Sequence, residues 1–137
     1  MLCASAGAAP DRREANRKRA ARRAKTRVRR LCKVQGLDTL LTLTYRGLVD
    51  DLAVCKRHFK EFIRRLRRAL GAFSYVAAFE RQKRGAWHVH IACHRLPRTM
   101  AARNGVKVKS FNVIRAIWRS VITRVCNLLM QINIGIE

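Results

Sequence analysis

Glu80, His88 and His90 are the residues whose types and spacing could do chemistry together. Between the first two lies Lys83-Arg84-Gly85, a short glycine-containing break of the kind that closes a hairpin. If that hairpin turns about Arg84, Glu80 lies opposite His88 and Ala78 opposite His90, and the even-numbered residues share one sheet face. Two same-face histidines on a half-exposed strand are ordinarily just polar residues. A carboxylate beside them makes a ligand set for one divalent cation, with coordination positions left open. Ligand type alone would also permit zinc or iron. An open-sided ion next to cationic surface suits phosphoryl chemistry, because it can polarise a phosphodiester oxygen and offset charge developing at phosphorus.

The elements that must position these residues follow from periodicity. Residues 39–45, reading T-L-L-T-L-T-Y, favour a first strand. Asp50 or Asp51 can cap a helix in which Leu52, Cys55, Phe59, Phe62, Ile63, Leu66 and Leu70 form an apolar face. Lys and Arg fill its other face, and His58 is expected there as a solvated residue. Gly71 ends that helix; residues 73–81 and 86–94 read as the two hairpin strands. Tyr75, Ala77, Phe79, Trp87, Val89, Ile91 and Cys93 make the odd, apolar face, whereas Ala86 is expected on the open face with the histidines. Residues 97–109 read as a basic loop, Ser110 as a cap for a second helix running to Val125, and residues 131–136 as the last strand.

The order predicts an α+β fold, the β-α-β-β-α-β split βαβ (ferredoxin-like or RRM-like) arrangement: an antiparallel sheet with both helices on one face. The other face is left open, a platform for single-stranded nucleic acid. Its candidate DNA contacts are the flanking Arg46, Lys83 and Arg84.

Charge points to the same partner. The 137 residues carry 31 Lys and Arg against 8 Asp and Glu, a formal charge of +23. Soluble domains need a net charge of only roughly 2 to 8 in magnitude. No apolar run approaches the roughly 20 residues that span a bilayer. Residues 1–36 form a basic N-terminal segment, helical or disordered, in which twelve Lys and Arg face only Asp11 and Glu14. From Asp11 to Lys33, Val28 and Leu31 are almost the only sizeable apolar residues, so contact with phosphates is the segment's expected role. Residues 37–137 are expected to form the metal- and DNA-binding domain. Met1 to Pro10 lacks the charged start and apolar core of a secretory signal, so a cytoplasmic location is expected. Five scattered cysteines, Cys3, Cys32, Cys55, Cys93 and Cys126, suggest neither a disulfide framework nor a thiolate zinc site.

At these residues the chain resembles the rolling-circle replication initiators (Rep proteins) of the HUH endonuclease family. His88-Val89-His90 matches the histidine, bulky hydrophobic, histidine motif; residues 79–90 look like the plasmid and phage type; and Leu41-Thr-Leu-Thr-Tyr45 is similar to the family's first motif. The likeness covers about Leu37 to Glu137. It implies a nickase that uses Mg2+ or Mn2+ on Glu80, His88 and His90, with Gln82 as the alternative third ligand. A tyrosine would attack single-stranded DNA at a replication origin, leaving a 5′-phosphotyrosine, with host replication proteins as possible further partners. That tyrosine follows the histidine pair in such proteins, so it is expected beyond Glu137, and the chain is expected to be a fragment inactive alone. Tyr45 belongs to the first-strand motif, and Tyr75 should point to the core. Two alternatives stand beside this one. A non-catalytic RRM-like module shares the element order, and residues 84–90 loosely resemble its third-strand signature. An HUH transposase or relaxase shares the metal chemistry.

Overall fold

In the computed structural model, residues 11–102 and 104–123 are described. The basic segment opens with α1 (Arg12–Gln35), built from Arg, Lys and Ala, all good helix formers. Asp11 caps its first turn by accepting the N–H of Arg13 at 3.0 Å, and Gly36 closes it in the left-handed conformation at φ 63°. No residue of α1 is buried.

β1 (Thr39–Leu43) follows, and it ends two residues before the alternation suggests. The carbonyls beyond it go to side chains instead of a ladder. Trp118 Nε1 donates to Thr44 O at 3.1 Å, and Arg84 donates to Tyr45 O at 2.6 Å and Arg46 O at 3.2 Å. α2 (Leu52–Leu70) is capped by Asp51, which accepts from Ala53 N at 2.7 Å. It buries Cys55, His58, Phe59, Phe62, Ile63 and Leu66. The expectation of a solvated His58 is therefore wrong: the ring is 5% exposed. It stands three residues from Cys55 and four from Phe62, squarely on the apolar stripe.

β2 (Tyr75–Arg81) and β3 (Trp87–Cys93) form the hairpin. Gly85 takes φ 93° in the turn, and Gln82 N donates to Ala86 O at 2.8 Å. The register is the one expected from a turn about Arg84, with Glu80 opposite His88 and Ala78 opposite His90. Ala86, expected on the open face, is fully buried instead. The segment before α2 folds against this turn: Trp87 N donates to Val49 O at 2.8 Å and Trp87 Nε1 to Asp50 O at 2.9 Å.

β3 is central in an antiparallel sheet of order β1-β3-β2. Leu41, Leu43, Val89, Ile91 and Cys93 of its odd face pack with Phe62 and Leu66 of α2 and with Ile114, Trp118 and Ile122 of α3 (Ser110–Thr123). The fold is thus α+β, with both core helices on one face, as the split βαβ order predicts.

The expected loop 97–109 contains a small hairpin, β4 (Thr99–Ala101) with β5 (Lys107–Lys109). Its turn carries Gly105 at φ 78°, and Asn104 Oδ1 accepts the N–H of Val106 at 3.2 Å. Strands of three residues are too short to show a period, and Asn104-Gly105 is the turn signal that was available. Ser110 is itself the first residue of α3, its hydroxyl donated to Pro97 O. The expected end of that helix at Val125 and the strand at 131–136 lie outside the described residues, as do Cys3 and Cys126. Cys32, Cys55 and Cys93 are free thiols. Burial raises Cys55, and burial followed by the charge of Asp38 pushes Cys93 up to about 11. Among the described residues no helix is long and apolar enough to cross a membrane.

Candidate metal centre

Strand pleating places Thr42, Ala78, Glu80, His88, His90 and Ala92 on the face opposite the core. Val89, between the two histidines, is fully buried, and that anchors both imidazoles outward. The rings meet edge to face with centroids 4.5 Å apart. Their Nε2 atoms converge on one carboxylate oxygen, Glu80 Oε2, at 3.2 Å from His88 and 2.9 Å from His90. One ligand atom from each of the three residues lies within 4.8 Å of the other two.

The three groups differ in exposure. The Glu80 side chain is 62% exposed, against 31% for His90 and 15% for His88, so the cluster has a wedged imidazole side and an open carboxylate side. The hydrogen bond from His90, then that from His88, holds the Glu80 carboxyl below the usual carboxylate range. An ionised carboxylate and two imidazoles, convergent and open to solvent on one side, fit a divalent cation with room for further ligands.

A second layer stands behind the rings. Thr42 pairs with His90 across β1 and β3, and its Oγ1 is 3.1 Å from His90 Nδ1. Gln82 Nε2 lies 3.3 Å from His88 Nδ1. Such outer partners fix the orientation of metal-binding histidines. Gln82 therefore stands behind His88, and Glu80 faces both rings. The part played by Thr42 is not legible in the sequence, because pattern alone does not give the β1 register against β3.

Of the expected DNA contacts, Arg46, Lys83 and Arg84 are all exposed. Arg84 is also engaged: besides Tyr45 O and Arg46 O, it donates from Nε to Gln82 Oε1 at 2.8 Å. The two tyrosines do not join the cluster. Tyr45 is buried, its hydroxyl 2.9 Å from His58 Nδ1 and its ring beside Trp118. Tyr75 packs between Phe59 and Phe73 on the core side.

The family model described as replication-associated protein ORF2 matches residues 38–133, a stretch that takes in the whole cluster. No curated protein and no solved structure matches the chain.

Proposed function

The chain belongs to the family of the replication-associated protein ORF2, and from that premise we propose that it initiates rolling-circle replication by nicking and rejoining single-stranded DNA at an origin, as an HUH-type enzyme. The observation that carries this reading is the convergence of Glu80, His88 and His90 on the open sheet face of a strongly basic chain. These three residues are the proposed ligands, with Mg2+ or Mn2+ as the ion. A divalent cation held there supplies polarisation of a phosphodiester oxygen and offsets charge at the attacked phosphorus.

Positioning of the ion and of the DNA strand falls to the chain's own residues. Thr42 and Gln82 hold the imidazoles from behind. Arg46 and Lys83 are the proposed phosphate contacts beside the face, Arg84 adds its charge from within the turn, and the cations of α1 extend the contact along the strand. The proposed nucleophile is a tyrosine hydroxyl. Its oxygen bonds to phosphorus while the bond to the 3′ oxygen breaks, leaving a 5′-phosphotyrosine and a free 3′-hydroxyl. Burial against His58 removes Tyr45 from that role, and packing among core aromatics removes Tyr75.

An RRM-like module would stack bases on aromatic side chains of the free face. Here the free-face positions of the three strands are Leu40, Thr42, Val76, Ala78, Glu80, His88, His90 and Ala92, without one aromatic, which favours the metal reading.

The test uses the intact coding product with a labelled single-stranded origin oligonucleotide and Mg2+ or Mn2+. The expected result is a site-specific nick whose 5′ end stays attached to a tyrosine, abolished by chelation and by His90→Ala. A free 5′-phosphate end, or cleavage that survives either treatment, would overturn the proposal.

A further inference from the structure

Building on the metal reading of the site, we propose that Gln82 is a positioning residue that locks His88 in one tautomer, so that cation binding requires the Gln82 amide to turn over and release Arg84.

A guanidinium can only donate. Arg84 Nε lies 2.8 Å from Gln82 Oε1, which assigns that atom as the amide oxygen. The other amide atom, 3.3 Å from His88 Nδ1, is then the NH2 group. An amide NH2 has no lone pair to offer, so Nδ1 must accept and the ring proton sits on Nε2. Nε2 in turn is 3.2 Å from Glu80 Oε2, the acceptor it needs. Arg84, Gln82, His88 and Glu80 thus form one directional chain in which every donor meets an acceptor.

That chain is incompatible with a cation on His88 Nε2, because the lone pair required for ligation is occupied by a proton. Moving the proton to Nδ1 sets an N–H against the Gln82 NH2. The conflict disappears when the amide rotates by half a turn, presenting oxygen to Nδ1–H. Its NH2 then faces Arg84 Nε, and that hydrogen bond is lost.

His90 has no such lock. Its Nδ1 faces the hydroxyl of Thr42 at 3.1 Å, and a hydroxyl can either donate or accept. One histidine therefore changes tautomer freely, while the other does so only with its neighbours. Arg84 also holds Tyr45 O and Arg46 O, so the reversal reaches the segment joining β1 to α2.

The first test needs no metal. 15N–1H correlation of the imidazoles, at a pH where they are neutral, should show His88 of the metal-free protein protonated on Nε2. In Gln82→Met, a neutral replacement of similar length, the Nδ1–H share should rise while Nε2–H persists in part, because Glu80 Oε2 still accepts from Nε2. Gln82→Glu, which can only accept, should move the proton to Nδ1 and tighten Mn2+ binding roughly tenfold, the scale of such outer partners. A His88 already protonated on Nδ1 in wild type, or a tautomer unchanged by Gln82→Glu, would overturn the inference. Absence of Mn2+ binding by the wild type would instead overturn the metal reading, and the nitrogen shifts separate the two failures.

Discussion

Thr42 stands directly across the β1–β3 ladder from His90, and its hydroxyl lies 3.1 Å from the ring nitrogen turned away from Glu80. The first strand thereby helps aim a proposed ligand carried on the third. Thr42→Val keeps the shape and removes the partner of Nδ1. Mn2+ affinity, measured by calorimetry, should fall roughly tenfold or more, and Thr42→Ser should restore most of it. Equal affinities in all three proteins would leave Thr42 as strand packing alone.

His58 makes stability depend on pH. Burial first, and the charge of Arg57 second, push its pKa below the ordinary imidazole value. The unfolded chain therefore takes up the proton first as pH falls. Stability from the neutral ring is fully present above the unfolded value of about 6.5 and is lost as pH falls from there towards the lower folded value. Denaturant titrations between about pH 7.5 and 5 should show wild type losing more stability than His58→Leu. The difference in slope is at most about 1.4 kcal/mol per pH unit for one proton. Parallel pH profiles would refute this assignment.

The basic residues around the turn should separate into two kinds. Lys83 and Arg46 are exposed. Lys83→Ala and Arg46→Ala should leave the melting temperature unchanged and each reduce the salt slope of single-stranded DNA binding by up to about 0.7. Arg84→Ala removes donors from Tyr45 O, Arg46 O and Gln82 Oε1 and should also cost about 1 kcal/mol in folding, a modest figure because water replaces an exposed guanidinium. A fully stable Arg84→Ala protein would contradict the clamp.

The N-terminal helix should act through charge. Its residues include twelve Lys and Arg and none that is buried, so deleting residues 1–36 spares the core. If about half of these cations meet phosphates, the deletion should flatten the salt dependence by about four units. An unchanged slope would make α1 a bystander to DNA binding.

The sequence made the hairpin legible because a register depends only on where the turn falls, and Gly85 marked it. Glu80 and His88 then had to face one another. His58 shows the opposite case: residue type suggests solvent, while helical spacing from Cys55 and Phe62 places it in the core. Thr42, Gln82 and Arg84 became partners only through contacts distant in sequence or dependent on side-chain direction. The short β4–β5 hairpin has too few residues to show alternation, and only Asn104-Gly105 announced it.

Whether Glu80, His88 and His90 bind one divalent cation together is tested most directly by Mn2+ titration of the protein, followed by calorimetry or by electron paramagnetic resonance. The expected result is one ion per chain in wild type and binding weakened by at least roughly tenfold in His88→Ala, His90→Ala and Glu80→Ala, with each variant still folded by circular dichroism. Wild-type affinity in all three variants, or no stoichiometric ion in the wild type, would contradict it.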